Sequence, residues 1–175
     1  RCSRDWSSDV CSSDLLRNLA HHDPLTGLPN RTLLKDRFES ALASARRRQL
    51  LLAVLLVDLD NLKKINDTLG HDAGDELLIG VANALKILVR GMDTVARTGG
   101  DEFVILLTEL QHSHGAQEVA RKIIARFAEP ILTDRGEELR TSPSIGIAYF
   151  PADGEDLSML IKHADQAMYR AKTEG

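Results

Sequence analysis

Aromatic residues make up only 4% of the 175-residue chain, and its two cysteines, Cys2 and Cys11, both lie close to the start. Two cysteines cannot build a disulfide framework, and no Cys/His spacing matches a zinc site. The absence of cysteine beyond Cys11 suits a reducing cytoplasm, and that is the compartment expected. Positive charge is not in excess either: 22 Lys and Arg stand against 26 Asp and Glu, for a net charge of −4. That excludes a protein holding nucleic acid by bulk charge, and no nucleic-acid partner is expected. Long apolar runs are missing too. The longest, from Leu50 to Val57, falls far short of the roughly 20 residues that cross a bilayer. No signal-peptide pattern opens the chain. What remains is 43% hydrophobic and 27% charged, the composition of one globular domain with a sizeable core.

Residues 1–15 differ from the rest. They hold both cysteines, the only Trp, five serines and the near-repeat SSDV and SSDL, with no apolar periodicity. They read as a non-native or disordered leader. Residues 16–22 read as the end of a helical linker, and residues 23–175 as the folded domain.

Within that domain helices and strands alternate. DPLTGLPN, at 23–30, is a turn-rich loop. Asn30 can cap a helix over 31–48 with Leu34, Phe38, Leu42 and Ala45 on one face. Residues 50–57 predict a buried strand, and 73–89 a helix. Short strands at 94–97 and 103–107 flank Gly99-Gly100, which is a hairpin signal. A helix follows at 116–128, then a strand region at 138–149 interrupted by Pro143, which favours an edge or a bulge. The last helix covers 156–172. This order predicts an α+β fold: a central mixed, mainly antiparallel sheet with flanking helices, close to a ferredoxin-like βαββαβ core.

Two acidic sites sit at strand ends. Asp58-Leu59-Asp60 follows the apolar run, and Asp101-Glu102 follow the two glycines. Carboxylates at such places need solvent, a partner or a cation. If the two strands pair, the acids converge on one hard cation such as Mg²⁺, an arrangement suited to phosphoryl transfer. Between the sites, Lys63 and Lys64 lie on a short helical turn whose first amides can hold phosphate. Asn66 and Asp75 offer an amide and a carboxylate that match a guanine edge. On chemistry alone, a turn-capping Asn66 and a solvated Asp75 remain the simpler reading.

These segments resemble the GGDEF family of diguanylate cyclases: DPLTGLPNR at 23–31, DLDNLKKINDTLGHDAGDELL at 58–78, RTGGDEFVILL at 97–107, SIGIA at 144–148 and ADQAMYRAK at 164–172. The resemblance implies a nucleotide-cyclase or polymerase-palm fold that condenses two GTP into cyclic di-GMP and two pyrophosphates. It implies Mg²⁺ (or Mn²⁺) held by Asp58, the Leu59 carbonyl and Asp101, with Glu102 also needed. Gly99 and Gly100 would let the hairpin approach the nucleotide. Asn66 and Asp75 would read guanine, the Asn61 and Leu62 amides with Lys63 would hold phosphate, and Lys172 would reach the terminal phosphate. Arg90 and Asp93, spaced as RxxD, match the site where product inhibits. The resemblance further implies catalysis across a homodimer and an upstream sensor domain, so that the chain would be cytoplasmic or the cytoplasmic part of a membrane-anchored sensor. The alternative function is a catalytically silent module that binds GTP or cyclic di-GMP to regulate a partner domain. Four features depart from the pattern. Thr98 replaces a usual leucine, Leu62 and Leu69 replace aromatics, Pro143 removes a strand amide, and the family often continues past Gly175 with an arginine, so a C-terminal truncation is expected.

Overall fold

The apolar residues sort onto two faces of one sheet, each covered by helices. In the computed structural model, which describes residues 20–174, the elements run α1 (Arg31–Arg48), β1 (Leu51–Leu59), α2 (Leu62–Leu69), α3 (His71–Leu88), β2 (Thr94–Arg97), β3 (Glu102–Leu110), α4 (His114–Phe127), β4 (Ile131–Leu132), β5 (Glu138–Leu139), β6 (Pro143–Phe150) and α5 (Leu157–Glu174). The leader expected at 1–15, and most of the expected linker helix, lie outside the described residues. Among those described, no helix is long and apolar enough to cross a membrane.

The main sheet has the order β2-β3-β1-β6, the ferredoxin-like order expected. The sheet was expected to be mixed but mainly antiparallel. β1 pairs antiparallel with both β3 and β6, and β2 antiparallel with β3, so the antiparallel character holds and no parallel pair joins it among the described residues. The crossover through α2 and α3 does return β2 parallel to β1 in direction. The hairpin partner β3 then slots between them, so no parallel neighbours arise among the described residues.

β1 is buried on both faces from Leu52 to Val57, which is why it reads as one apolar run rather than an alternation. Ala53, Leu55, Val57 and Leu59 join Phe103, Ile105 and Leu107 under α3 and α4. Leu52, Val54 and Leu56 join Val104, Leu106, Ala148 and Phe150 under α1 and α5. Asn30 caps α1 as expected, its Oδ1 accepting from the N–H groups of Thr32 and Leu33 at 3.0 and 3.1 Å.

The region expected as one strand at 138–149 divides. β5 pairs with β4 in a small hairpin, which the sequence reading missed because each strand is only two residues long. Pro143 opens β6, an edge strand of the main sheet, where its missing N–H costs no ladder bond. At Gly146 a Cβ would fall 1.8 Å from the Ala164 carbonyl oxygen. That glycine therefore lets α5 lie directly on β6.

Candidate functional site

Side-chain alternation along β1 carries Asp58 onto the face of Leu52, Val54 and Leu56, one step beyond the last core layer. Across the ladders it stands opposite Glu102 on β3 and Ser144 on β6, so all three share a face. The Leu59 N–H donates to the Asp101 carbonyl at 3.2 Å. The structure thus brings Asp58, Leu59, Asp101 and Glu102 together at one end of the sheet, as the pairing of the two acidic strands requires. From the last turn of α5, Lys172 reaches the same place: its Nζ lies 2.5 Å from Asp58 Oδ2 and 3.6 Å from Asp60 Oδ1. The hydrogen bond to Asp58, with the charges of Asp58 and Asp60, raises the Lys172 pKa above its ordinary value despite partial burial.

Among the described residues, no three His, Cys, Asp or Glu side chains form a ready metal cluster. The donor chemistry nevertheless fits a hard cation. Carboxylates and a backbone carbonyl are the oxygen ligands Mg²⁺ and Mn²⁺ prefer, and a cationic ammonium is already held between Asp58 and Asp60.

The hairpin turn is fixed from outside. Arg97 donates through Nη2 and Nε to the Gly100 carbonyl at 2.7 and 3.3 Å. Its Nη1 donates to both oxygens of Asp23 at 3.0 and 3.2 Å. Burial pushes the Asp23 carboxyl up, but hydrogen bonds from Thr26 and Arg97 outweigh it and hold the pKa below the ordinary value. Gly99 and Gly100 are exposed at the tip. Thr98, the departure from leucine, donates its hydroxyl to Glu102 Oε1 at 2.7 Å.

After β1 the backbone turns through Asn61, left-handed at φ 69°, into α2. Leu62 is buried, whereas Asn61 and Lys63 are exposed. Leu69, the other replaced aromatic, is 53% exposed. Gly70 at φ 92° joins α2 to α3. There Asn66 lies against Gly74, directly preceding the exposed Asp75.

Arg90 and Asp93 are not brought to this site. They lie at the far end of β2 from the glycine turn, four strand residues away, or about 13 Å. Asp93 accepts from the Arg90 N–H and the Thr108 N–H, each at 3.0 Å, so its carboxylate shapes the turn. The Arg90 side chain is exposed. Asp93 and Thr108 also line a cavity of about 530 Å³ beneath α1.

Residues 20–175 match the family model described as diguanylate cyclase, GGDEF domain. The chain belongs to the GGDEF family. It is 48% identical over 160 residues to the bifunctional diguanylate cyclase/cyclic di-GMP phosphodiesterase MucR of Pseudomonas aeruginosa, covering 91% of this chain and 23% of that protein. The GGDEF domain of TpbB from the same species matches with a TM-score of 0.84 at 43% identity, over 89% of this chain and 90% of that one. The GGDEF domain of DgcB from Caulobacter crescentus, solved in complex with c-di-GMP, matches with a TM-score of 0.78 at 26% identity, over 89% of each chain. The chain spans under two-fifths of the length of its curated relatives, 23% of MucR and 37% of full-length TpbB.

In this GGDEF domain, sequence reasoning missed two structural anchors. Asp60 accepts from Ser142 Oγ at 3.0 Å and Ser144 Oγ at 3.1 Å, while Thr141 Oγ1 donates to its carbonyl at 2.8 Å. It ties the end of β1 to the start of β6 rather than capping α2. Asp23 was read only as part of a loop. Its spacing to Thr26 carries a local turn signal, but nothing in sequence joins it to Arg97, 74 positions away.

Proposed function

We propose that this GGDEF domain condenses two GTP molecules into cyclic di-GMP, releasing two pyrophosphates. One observation carries the reading: Asp58 and Glu102 face each other across β1 and β3, beside Asp101, with the Lys172 ammonium held by Asp58. Relatives named as diguanylate cyclases and a neighbour solved with c-di-GMP support it.

A divalent cation, when bound, would neutralise phosphate charge and polarise the α-phosphate. The Asp58 and Asp101 carboxylates and the Leu59 carbonyl hold it in this reading. Lys172 exchanges Asp58 for the terminal phosphate. The exposed first turn of α2 leaves the Asn61 and Leu62 amides and the Lys63 ammonium for the remaining phosphate oxygens. Asn66 and Asp75 grip guanine, and bare Gly99 and Gly100 admit the nucleotide.

The 3′-oxygen of one GTP attacks the α-phosphorus of the other. A P–O bond forms, the α–β bridging bond breaks with its electron pair going to pyrophosphate, and the 3′ proton passes to a base. The same step repeated closes the ring. One such guanine site binds one GTP, so two domains must meet face to face. Control of that meeting falls to an upstream sensor domain. Arg90 and Asp93 form the product-inhibition site, where a guanidinium suits phosphate and guanine acceptors.

The test is incubation with GTP and Mg²⁺ at several protein concentrations, with products identified by chromatography and mass. Cyclic di-GMP, with specific activity rising with concentration, is expected. A silent regulatory module yields bound nucleotide and no product.

A further inference from the structure

We propose that Gly74 is a positioning residue for guanine recognition: its missing side chain is the space in which the Asn66 carboxamide lies. The inference rests on the proposed role of Asn66. A Cβ on residue 74 would sit 1.8 Å from Asn66 Oδ1, 2.9 Å from its Cγ and 3.4 Å from its Nδ2. All three are carboxamide atoms, so the group that would bind guanine is the group displaced.

Other glycines show why this one is distinctive. At Gly146 the obstacle is the backbone of α5, and at Gly80 it is the buried Ile131 side chain. At Gly74 it is the far end of a side chain with rotatable bonds, while Asn66 is pinned at its backbone because its carbonyl accepts from the Gly70 N–H at 3.0 Å. Alanine at 74 is thus accommodated by swinging the amide, not by distorting the fold. Helix propensity even favours it, since Gly74 lies within α3. The oxygen must retreat by roughly 1.5 Å to regain van der Waals distance, and a hydrogen bond near 2.9 Å does not survive such a shift. The cost falls on recognition and not on stability.

The test is a double-mutant cycle with Gly74→Ala and Asn66→Ala, read by calorimetric binding of 3′-deoxy-GTP, which lacks the attacking hydroxyl, and of 3′-deoxy-ATP. Gly74→Ala is expected to weaken guanine binding about tenfold, the worth of one lost hydrogen bond with its unpaired partner, leaving adenine binding and the melting temperature no lower. In the Asn66→Ala background, Gly74→Ala should change binding less than twofold, because its effect passes through the amide. Equal loss in both backgrounds, equal loss for both nucleotides, an unaltered affinity or an unfolded variant each overturns the inference. If Asn66→Ala alone leaves guanine binding intact, the underlying guanine reading fails instead, which the Asn66→Ala comparison with the parent chain reports without touching residue 74.

Discussion

Replacing Asp23 by Asn removes one charge and almost no volume, and isolates the clamp on the glycine turn. The Asp23 carboxylate accepts from the Thr26 N–H at 2.8 Å, the Thr26 hydroxyl at 2.6 Å and Arg97 Nη1. All three contacts fall on Oδ2, so Asn can keep them with its one oxygen, but the ion pair is lost and an NH₂ donor replaces Oδ1, which faced Arg97 Nη1 at 3.2 Å. Breaking a fully buried ion pair costs about 3–5 kcal/mol. Here the Arg97 and Asp23 side chains keep 12% and 17% exposure, so solvent offsets part of the loss and about 2 kcal/mol is expected. For a domain of this size that lowers the melting temperature by about 4–8 °C. The pH dependence has a definite sign. Because the folded pKa of Asp23 is depressed below 3.8, its contribution is complete above that value and is lost as pH falls through the folded pKa. Urea unfolding of the parent and Asp23→Asn at stepped pH should therefore show a gap that is full near neutrality and closes below about pH 4. A neutral-pH gap under about 0.5 kcal/mol at unchanged m-value, or a gap constant down to about pH 3, refutes the reasoning.

Lys172→Met frees Asp58 and Asp60 from their ammonium, so binding of Mn²⁺ alone should tighten several-fold while nucleotide triphosphate binding weakens; paramagnetic titration that shows unchanged or weaker Mn²⁺ binding counts against the cation site. Asp101→Ala should abolish product formation and, because Asp101 is exposed, leave stability within about 0.5 kcal/mol; undiminished turnover removes the argument from the paired acids. Arg90→Ala should relieve product inhibition without loss of stability, whereas Asp93→Ala should cost about 1–2 kcal/mol because two backbone N–H groups lose their acceptor; an inhibition curve identical to the parent's sinks the RxxD assignment. Gly146→Ala should lower stability by about 1–3 kcal/mol or more, since the Ala164 backbone cannot yield as a side chain does; a melting temperature equal to the parent's contradicts the close packing of α5 on β6.

Local sequence alone determined a good deal of this protein. While Pro143 by itself narrowed its strand only to an edge or a bulge, the span of α1 and its Asn30 cap, the buried run of β1 and the hairpin around Gly99-Gly100 follow from periodicity, capping and turn chemistry within a few residues. So does the presence of acids at two strand ends, and five ordered segments were enough to point to the family. Tertiary structure decided whatever depends on distant residues meeting. That Asp58 faces Glu102 follows from the register of β1 on β3, which no local pattern encodes. That Asp60 serves as a staple follows from β6 lying beside β1, which brings Ser142 and Ser144 within reach. That Lys172 touches Asp58, 114 positions away, follows from α5 resting on the bare backbone of Gly146. The clamp from Asp23 through Arg97 to Gly100 needed the N-terminal loop folded against the hairpin. Secondary structure is written in short-range propensity, whereas a site built from strand ends and helix ends exists only once the chain has closed on itself.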